Sequence, residues 1–87
     1  MRAVIRMGDS QLPELTQARV IKALKKLDVE VVKGPTGKVR GKGGHKFVRH
    51  KVTHAPSVVE SGRLDGFTIH RILKQLGISV QDFLAKL

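Results

Sequence analysis

The chain has no cysteine, tyrosine or tryptophan among its 87 residues, and phenylalanine occurs only three times. Without cysteine, disulfide scaffolds, thiolate zinc sites and cysteine nucleophiles are excluded. The scarcity of aromatic side chains argues against the large stacking platforms that many single-strand-binding proteins use. Acidic residues are also few: seven stand against seventeen lysines and arginines, which gives a formal net charge of +10.

This charge favours a polyanionic partner. Lysine and arginine contact phosphates and release counterions, so a nucleic acid is the expected partner. A membrane surface is the weaker competitor, because neither predicted terminal helix sets a basic face against a large aromatic one. Residues 1–12 contain Arg2, Arg6 and Asp9 and form no sustained apolar stretch. We therefore expect no signal peptide, no transmembrane helix, no membrane partner and a cytoplasmic location.

The length fits one domain, and its first clear element is an amphipathic helix of about three turns. Thr16 is a plausible N-cap, and the helix is expected to end near Asp28. Its apolar residues recur at helical spacing: Val20, Ile21, Leu24 and Leu27. Strands are predicted at residues 29–32, 46–52 and 57–60, where β-branched and apolar residues concentrate. Residues 33–44, rich in glycine and basic side chains, are predicted as a long loop or a hairpin with a mobile tip.

The C-terminal part is predicted to be helical. Residues 69–76 carry an apolar stripe, and Gly77 stands where a left-handed C-cap belongs. Residues 79–82 have the pattern of a capping box that opens a last short helix carrying Phe83. The fold class is therefore α+β: a three-stranded antiparallel sheet with helices packed on one face. Residues 1–15 are interpreted as an N-terminal arm or short extra strand before a single domain of residues 16–87.

Basic and acidic residues are unevenly placed along this order. From Val31 through Val59 there is no aspartate or glutamate. The basic residues of this stretch are predicted to bind RNA phosphates, together with a glycine that lets the backbone approach a phosphate closely. The predicted RNA-binding set is Lys38, Arg40, Lys42, Gly44, Lys46, Arg49 and Lys51.

Histidine is the one residue type here that ordinarily titrates near neutral pH, and four are present: His45, His50, His54 and His70. Metal-free RNA cleavage needs a base for the ribose 2′-hydroxyl and an acid for the leaving 5′-oxygen, and histidine suits both. His45 follows two glycines and precedes Lys46 at a predicted strand entrance, so it is the candidate catalytic residue. An exposed loop histidine is the alternative reading. Since His50 and His54 have no cysteine or acidic residue nearby to complete a site, we expect no metal and no cofactor.

Three stretches of the chain resemble the HicA toxin family of bacterial toxin–antitoxin systems. Residues 20–32 are similar to the opening helix and first strand of that family. The run Gly44-His45-Lys46-Phe47 is similar to its glycine-histidine strand motif. Residues 66–79, with Asp82-Phe83-Leu84 beyond them, resemble the closing helix, with its Ile-Leu-Lys-Gln core and Gly-Ile-Ser turn. Together these stretches cover most of the chain from Thr16 onward.

The resemblance implies a fold similar to a double-stranded-RNA-binding domain and an activity as an mRNA endoribonuclease. It also implies a HicB-like antitoxin partner that covers the site, and His45 matches the catalytic histidine of the family. The chain departs from the family pattern at Lys46, where many members have a second histidine. It departs again in the longer, more basic residues 33–42 and in residues 57–60, which lack the Val-Pro-x-His pattern.

The sequence thus predicts the toxin of a type II toxin–antitoxin system. It would be a metal-independent endoribonuclease that cleaves mRNA with His45 as general acid or base. The alternative is a non-catalytic RNA-binding module that uses the same basic sheet and loop. A third possibility is DNA binding by a C-terminal helix-turn-helix. The mainly apolar residues 80–87 are better explained by core packing than by contact with base edges.

Overall fold

The computed structural model of the protein describes residues 12–32 and 44–87. In this part of the chain the elements are β1 (Leu15–Thr16), α1 (Gln17–Lys25), β2 (Val29–Val31), β3 (Lys46–His50), β4 (Pro56–Val59), β5 (Arg63–Leu64), α2 (Gly66–Leu76) and α3 (Val80–Ala85). An antiparallel sheet has the strand order β2-β3-β4, and β1 pairs with β5 in a separate antiparallel ladder. The predicted α+β class is confirmed.

The first helix begins where its capping residue predicts. The hydroxyl of Thr16 accepts a hydrogen bond from the backbone N–H of Arg19 at 3.3 Å, which satisfies a donor that has no partner within the helix. The helix ends at Lys25, earlier than the expected end near Asp28. Residues 26–28 form a turn instead, and Asp28 adopts a left-handed conformation with φ of 64° that cannot continue a right-handed helix.

The C-terminal helices confirm both predicted caps. Gly77 ends α2 in the left-handed region with φ of 73°. The Ser79 hydroxyl accepts from the backbone N–H of Asp82 at 3.1 Å and so opens α3. The last helix packs into the core, as its apolar residues predict, because the Phe83 side chain is fully buried.

The strands lie close to their predicted positions, but β3 is shorter than expected. It ends at His50 rather than at residue 52, because residues 51–55 form the turn into β4. The N–H of His50 bonds to the carbonyl of Ala55, and the N–H of His54 bonds back to the carbonyl of His50, both at 2.9 Å. The β1–β5 pair was not predicted, since two-residue strands are too short to show an alternating pattern.

One face of the three-stranded sheet carries the core. Side chains alternate between the two faces of a strand, and Val29, Val48 and Val59 point toward α1 and α2. The buried cluster is made of Leu12, Leu15, Val20, Ile21, Ala23, Leu24, Val29, Val48, Val59, Leu64, Ile69, Ile72, Leu73, Leu76 and Phe83. The core therefore extends before residue 16, to Leu12. No helix in residues 12–32 and 44–87 is long and apolar enough to cross a membrane.

The N-cap of α2 makes the stability of the protein sensitive to acid. The backbone N–H of Thr68 donates to the Asp65 carboxylate at 2.8 Å, and this bond lowers the pKa of Asp65 below its ordinary value of 3.8. Because the folded pKa is the lower one, the carboxylate contributes its full stabilisation above pH 3.8. That contribution is lost as the pH falls through the folded pKa.

We expect Asp65→Asn to remove this part of the acid sensitivity. Asparagine also caps helices well, so the urea midpoint at pH 7 should be close to that of the wild type. Between pH 7 and about pH 3 the midpoint should fall less in Asp65→Asn than in the wild type. Equal falls in the two proteins would show that the cap does not contribute in this way.

Candidate functional site

His45 lies immediately before β3, and the backbone next to it is held by a side chain of α1. The side-chain amide of Gln17, at the first turn of α1, donates to the carbonyl of Gly44 at 2.7 Å. The same amide donates to the carbonyl of Val59 at 3.1 Å, and the backbone N–H of Gln17 bonds to the carbonyl of Gly62 at 2.9 Å. Gln17 thus ties the start of β3 to the end of β4 and to the turn that follows it.

The residue before His45 has a steric reason to be glycine. Gly44 has φ of 87°, in the region that only glycine adopts without strain. A Cβ atom at this position would lie 3.1 Å from the Cβ atom of Ser61, closer than most real contacts of this kind. Gly44 therefore serves to bring the backbone around His45 against the β4–β5 turn.

The side chain of His45 is free to meet a ligand. It is exposed, and within residues 12–32 and 44–87 it makes no hydrogen bond or ion pair. Along β3, Phe47 and Arg49 point away from the helices, while Val48 points toward them. Continuing this alternation by one residue places His45 on the same outward face as Phe47 and Arg49.

The other three histidines have different surroundings. The Nδ1 atom of His50 accepts from the backbone N–H groups of Val52 at 3.1 Å and Thr53 at 3.4 Å, so this ring holds the β3–β4 turn. His54 is exposed in the same turn, with φ of 66°. His70 is half-buried on α2. These placements leave His45 as the histidine at the open start of a strand.

The predicted RNA-binding residues do not share one face. Arg49 lies on the outward face, whereas Lys46 alternates to the helix side, opposite Val59, and is half-buried. Lys51 is exposed just beyond β3, and its N–H bonds to the carbonyl of Asp28. Gly44 lies beside His45. Three others, Lys38, Arg40 and Lys42, lie outside the described residues.

Arg49 is paired with an acidic residue from the neighbouring strand. Its Nη2 and Nε atoms lie 2.7 and 3.1 Å from Oε2 of Glu30, directly across the β2–β3 ladder. The hydrogen bond from Arg49 lowers the pKa of Glu30, so the carboxylate keeps its charge to a lower pH than an unpaired glutamate does. The pair holds the guanidinium in a fixed orientation and offsets part of its charge.

A second arginine pair lies along the other edge of the sheet. Nη2 of Arg71, on α2, lies 2.8 and 3.0 Å from the two carboxylate oxygens of Glu60 and 3.2 Å from the carbonyl of Val58. Sequence reasoning missed both pairs. The acid-free stretch is bounded by Glu30 and Glu60, and the fold brings each of these glutamates to an arginine that is distant in sequence. The sequence alone could suggest Glu30 opposite Arg49 only if the register of β2 and β3 were known.

A groove of about 700 Å³ lies along the outward face of β3 and β4 and extends past β4 to Arg71 and Gln75 of α2. Its apolar lining includes Val32, Phe47, Pro56 and Val58, and the two paired arginines also line it. Phe47 is 40% exposed although it belongs to the middle of the sheet. The groove therefore begins two residues along the chain from His45.

Neither metal ligands nor known relatives add to this arrangement. Within residues 12–32 and 44–87, no three histidine, aspartate or glutamate side chains come together in a way that could hold a metal ion. The chain matches no protein-family model, no curated protein and no solved structure.

Proposed function

We propose that this protein is the toxin of a type II toxin–antitoxin system of the HicA kind, an endoribonuclease that cleaves mRNA without a metal. The order α1-β2-β3-β4-α2, with both helices against one face of the sheet, supports the double-stranded-RNA-binding-domain-like fold that the resemblance implies. The net charge of +10 supports an RNA substrate. A cytoplasmic location follows from an mRNA substrate.

The placement of His45 is the observation that carries the proposal. The ring is exposed and unpaired within the described residues, while its backbone is clamped by the Gln17 amide and by the close approach of Gly44 to Ser61. A general acid or base must reach its proton from a fixed position and needs a ring nitrogen that is accessible to the substrate. Among the four histidines, His45 meets both conditions best.

RNA cleavage through the 2′-hydroxyl needs two proton transfers, and histidine can carry either proton. The ribose 2′-oxygen loses its proton and bonds to the adjacent phosphorus, and the bond from phosphorus to the 5′-oxygen breaks as that oxygen gains a proton. His45 performs one of these two proton transfers. Negative charge builds on the phosphate oxygens during the step, and exposed basic side chains of the acid-free stretch are proposed to stabilise it.

A HicB-like antitoxin would inhibit the toxin by covering this site. His45 lies at the end of the sheet where β3 starts and β4 ends, and its side chain is exposed. A protein bound there would keep RNA away from the histidine without changing the fold. The antitoxin is therefore proposed to contact the outward face around His45.

The test is expression of three proteins in bacteria: wild type, His45→Ala and His70→Ala. Wild type should arrest growth while bulk mRNA shortens, and His45→Ala should do neither at equal protein level. His70→Ala is the matched control, because it removes a histidine from α2 and leaves the start of β3 intact. Its toxicity should match that of the wild type. Equal toxicity of wild type and His45→Ala would refute the assignment.

One observation favours the alternative, a non-catalytic RNA-binding module. Within the described residues no second titratable side chain touches the His45 ring to orient it or to act as its catalytic partner. In that case the wild type would leave RNA intact, and His45→Ala would weaken RNA binding only modestly. Comparing RNA integrity with RNA affinity in the same preparations separates the two functions.

A further inference from the structure

We propose that Phe47 is a stacking subsite for one unpaired base of a single-stranded RNA, on the outward face of the sheet beside His45. This subsite rests on the proposed function, because the RNA bound here is the one whose phosphate reaches His45. It assigns a role to an aromatic side chain that neither the core nor the proton transfer uses.

Phe47 is placed to meet a nucleotide next to the cleaved one. It follows His45 by two residues, and two residues of extended chain span about 7 Å. The ring is 40% exposed, although side chains in the middle of a sheet of this size have neighbours on both sides. An exposed aromatic ring on a sheet is the feature on which RNA-binding domains stack bases.

Apolar residues lie beside Phe47 on the outward face. Val58 lies directly opposite Phe47 in the β3–β4 ladder, and Val32 bonds through its N–H to the carbonyl of Phe47 at 2.8 Å. These residues line the same groove as Phe47. Together with the ring they offer an apolar surface on which an aromatic base can stack.

The charge around the groove fits a base better than a phosphate. Arg49 and Arg71 line it, but each is paired with a glutamate, so the groove as formed by residues 12–32 and 44–87 carries little net charge. The groove volume of about 700 Å³ is within the range of roughly 300–1,000 Å³ typical of small-ligand sites. An uncharged aromatic base can therefore occupy the groove, while its phosphate lies outside, toward His45.

The other two phenylalanines define the control. Phe83 is fully buried in the core, and Phe67 is 73% exposed on α2 but does not line the groove. Phe67→Ala thus removes an equally aromatic and more exposed ring from a different surface. If any exposed ring sufficed for RNA binding, Phe67 would matter at least as much as Phe47.

The experiment measures the affinity of purified protein for a fluorescent single-stranded oligoribonucleotide with 2′-O-methyl riboses, which cannot be cleaved through the 2′-oxygen. Phe47→Ala and Phe47→Leu should bind roughly 5- to 150-fold more weakly than the wild type, the range expected for loss of one stacked base. Phe47→Tyr and Phe67→Ala should bind like the wild type. Leucine keeps the apolar contacts with Val58, so Phe47→Leu separates lost stacking from lost packing, and circular dichroism checks each fold.

A second arm removes the base instead of the ring. Abasic sites are placed one at a time along the oligonucleotide, and one position should weaken wild-type binding by a similar factor. In Phe47→Leu that position should cost nothing further, because the stacking partner is already gone. Wild-type affinity in a folded Phe47→Leu protein would overturn the proposal, and so would equal losses at that position in both proteins. Wild-type affinity in Phe47→Leu would instead favour a protein partner as the occupant of the groove.

The result of the binding experiment does not depend on whether the protein cleaves RNA. If Phe47-dependent binding is found but no RNA is ever cut, the stacking subsite holds and the nuclease function fails. If RNA is cut in a His45-dependent way and Phe47→Leu binds and cuts like the wild type, the nuclease function holds and the subsite fails.

Discussion

A single 2′-deoxyribose at the cleaved position is expected to stop RNA cleavage by this protein completely. The proposed reaction uses the 2′-oxygen of the substrate as the nucleophile, and histidine supplies only proton transfer. Without that oxygen no bond to phosphorus can form, so no slower version of the same reaction remains. The measurement is product formation from a labelled oligoribonucleotide on a denaturing gel.

The control substrate carries the deoxyribose one nucleotide away from the cleaved bond and should be cut at the normal rate. The products of the all-ribose substrate should end in a 2′,3′-cyclic phosphate on one side and a free 5′-hydroxyl on the other. A product with a 5′-phosphate, or cleavage of the deoxy-substituted bond, would mean that water attacks the phosphate. The proposed role of the 2′-hydroxyl would then be wrong.

Phe83→Ala is expected to lower the free energy of unfolding by about 3–5 kcal/mol, the range for removing a buried phenylalanine ring. The side chain is fully buried and belongs to α3, the last helix, so its loss leaves a cavity among residues from several elements. For a chain of this size the total is roughly 4–13 kcal/mol, so the loss is a large fraction of the stability of the protein. Urea unfolding followed by circular dichroism measures the change.

Phe67→Ala is again the matched control, and it should change stability by no more than about 0.5 kcal/mol because the ring is mostly exposed. A loss below about 1 kcal/mol in Phe83→Ala would show that α3 does not close the core. It would also reopen the possibility that the C-terminal helices present a surface to DNA. Because Phe83 is fully buried in the structure, the largest side chain of α3 is not available to contact DNA.

The sequence predicted those parts of the fold that depend on interactions between neighbouring residues. Thr16 and Ser79 accept backbone hydrogen bonds at helix starts, and Gly77 adopts the left-handed conformation at a helix end. Each depends only on residues within one helical turn. Boundaries were less predictable, since the end of β3 is set by a turn that the His50 ring stabilises.

Contacts between residues distant in sequence could not be predicted. Gln17 lies 27 residues from Gly44 and 42 from Val59, and nothing in its local sequence indicates the clamp. The pairing of Arg49 with Glu30 depends on strand register, and residues 33–43 between β2 and β3 give no turn pattern that sets it. The sequence predicted a basic sheet without acidic residues. In the fold, the two glutamates that border the acid-free stretch pair with arginines of β3 and α2.

The candidate site was predicted in part. The position of His45 at a strand entrance is confirmed, since β3 begins at the next residue. The exposure of Phe47 was not foreseen, because an aromatic residue next to β-branched neighbours ordinarily indicates core. Its outward direction follows from the register of β3, in which Val48 takes the buried place. The catalytic role of His45 and the HicA resemblance remain predictions.

The role of His45 as a metal-independent proton carrier is tested most directly by the single-turnover rate of RNA cleavage by purified wild type and His45→Ala, both in excess EDTA. We expect the wild type to keep its full rate in the chelator and His45→Ala to be slower by about 10²- to 10⁴-fold, with an unchanged urea midpoint. Equal rates in the two proteins would contradict the role of His45. Loss of wild-type cleavage in EDTA, restored by a divalent ion, would contradict metal-independent proton transfer.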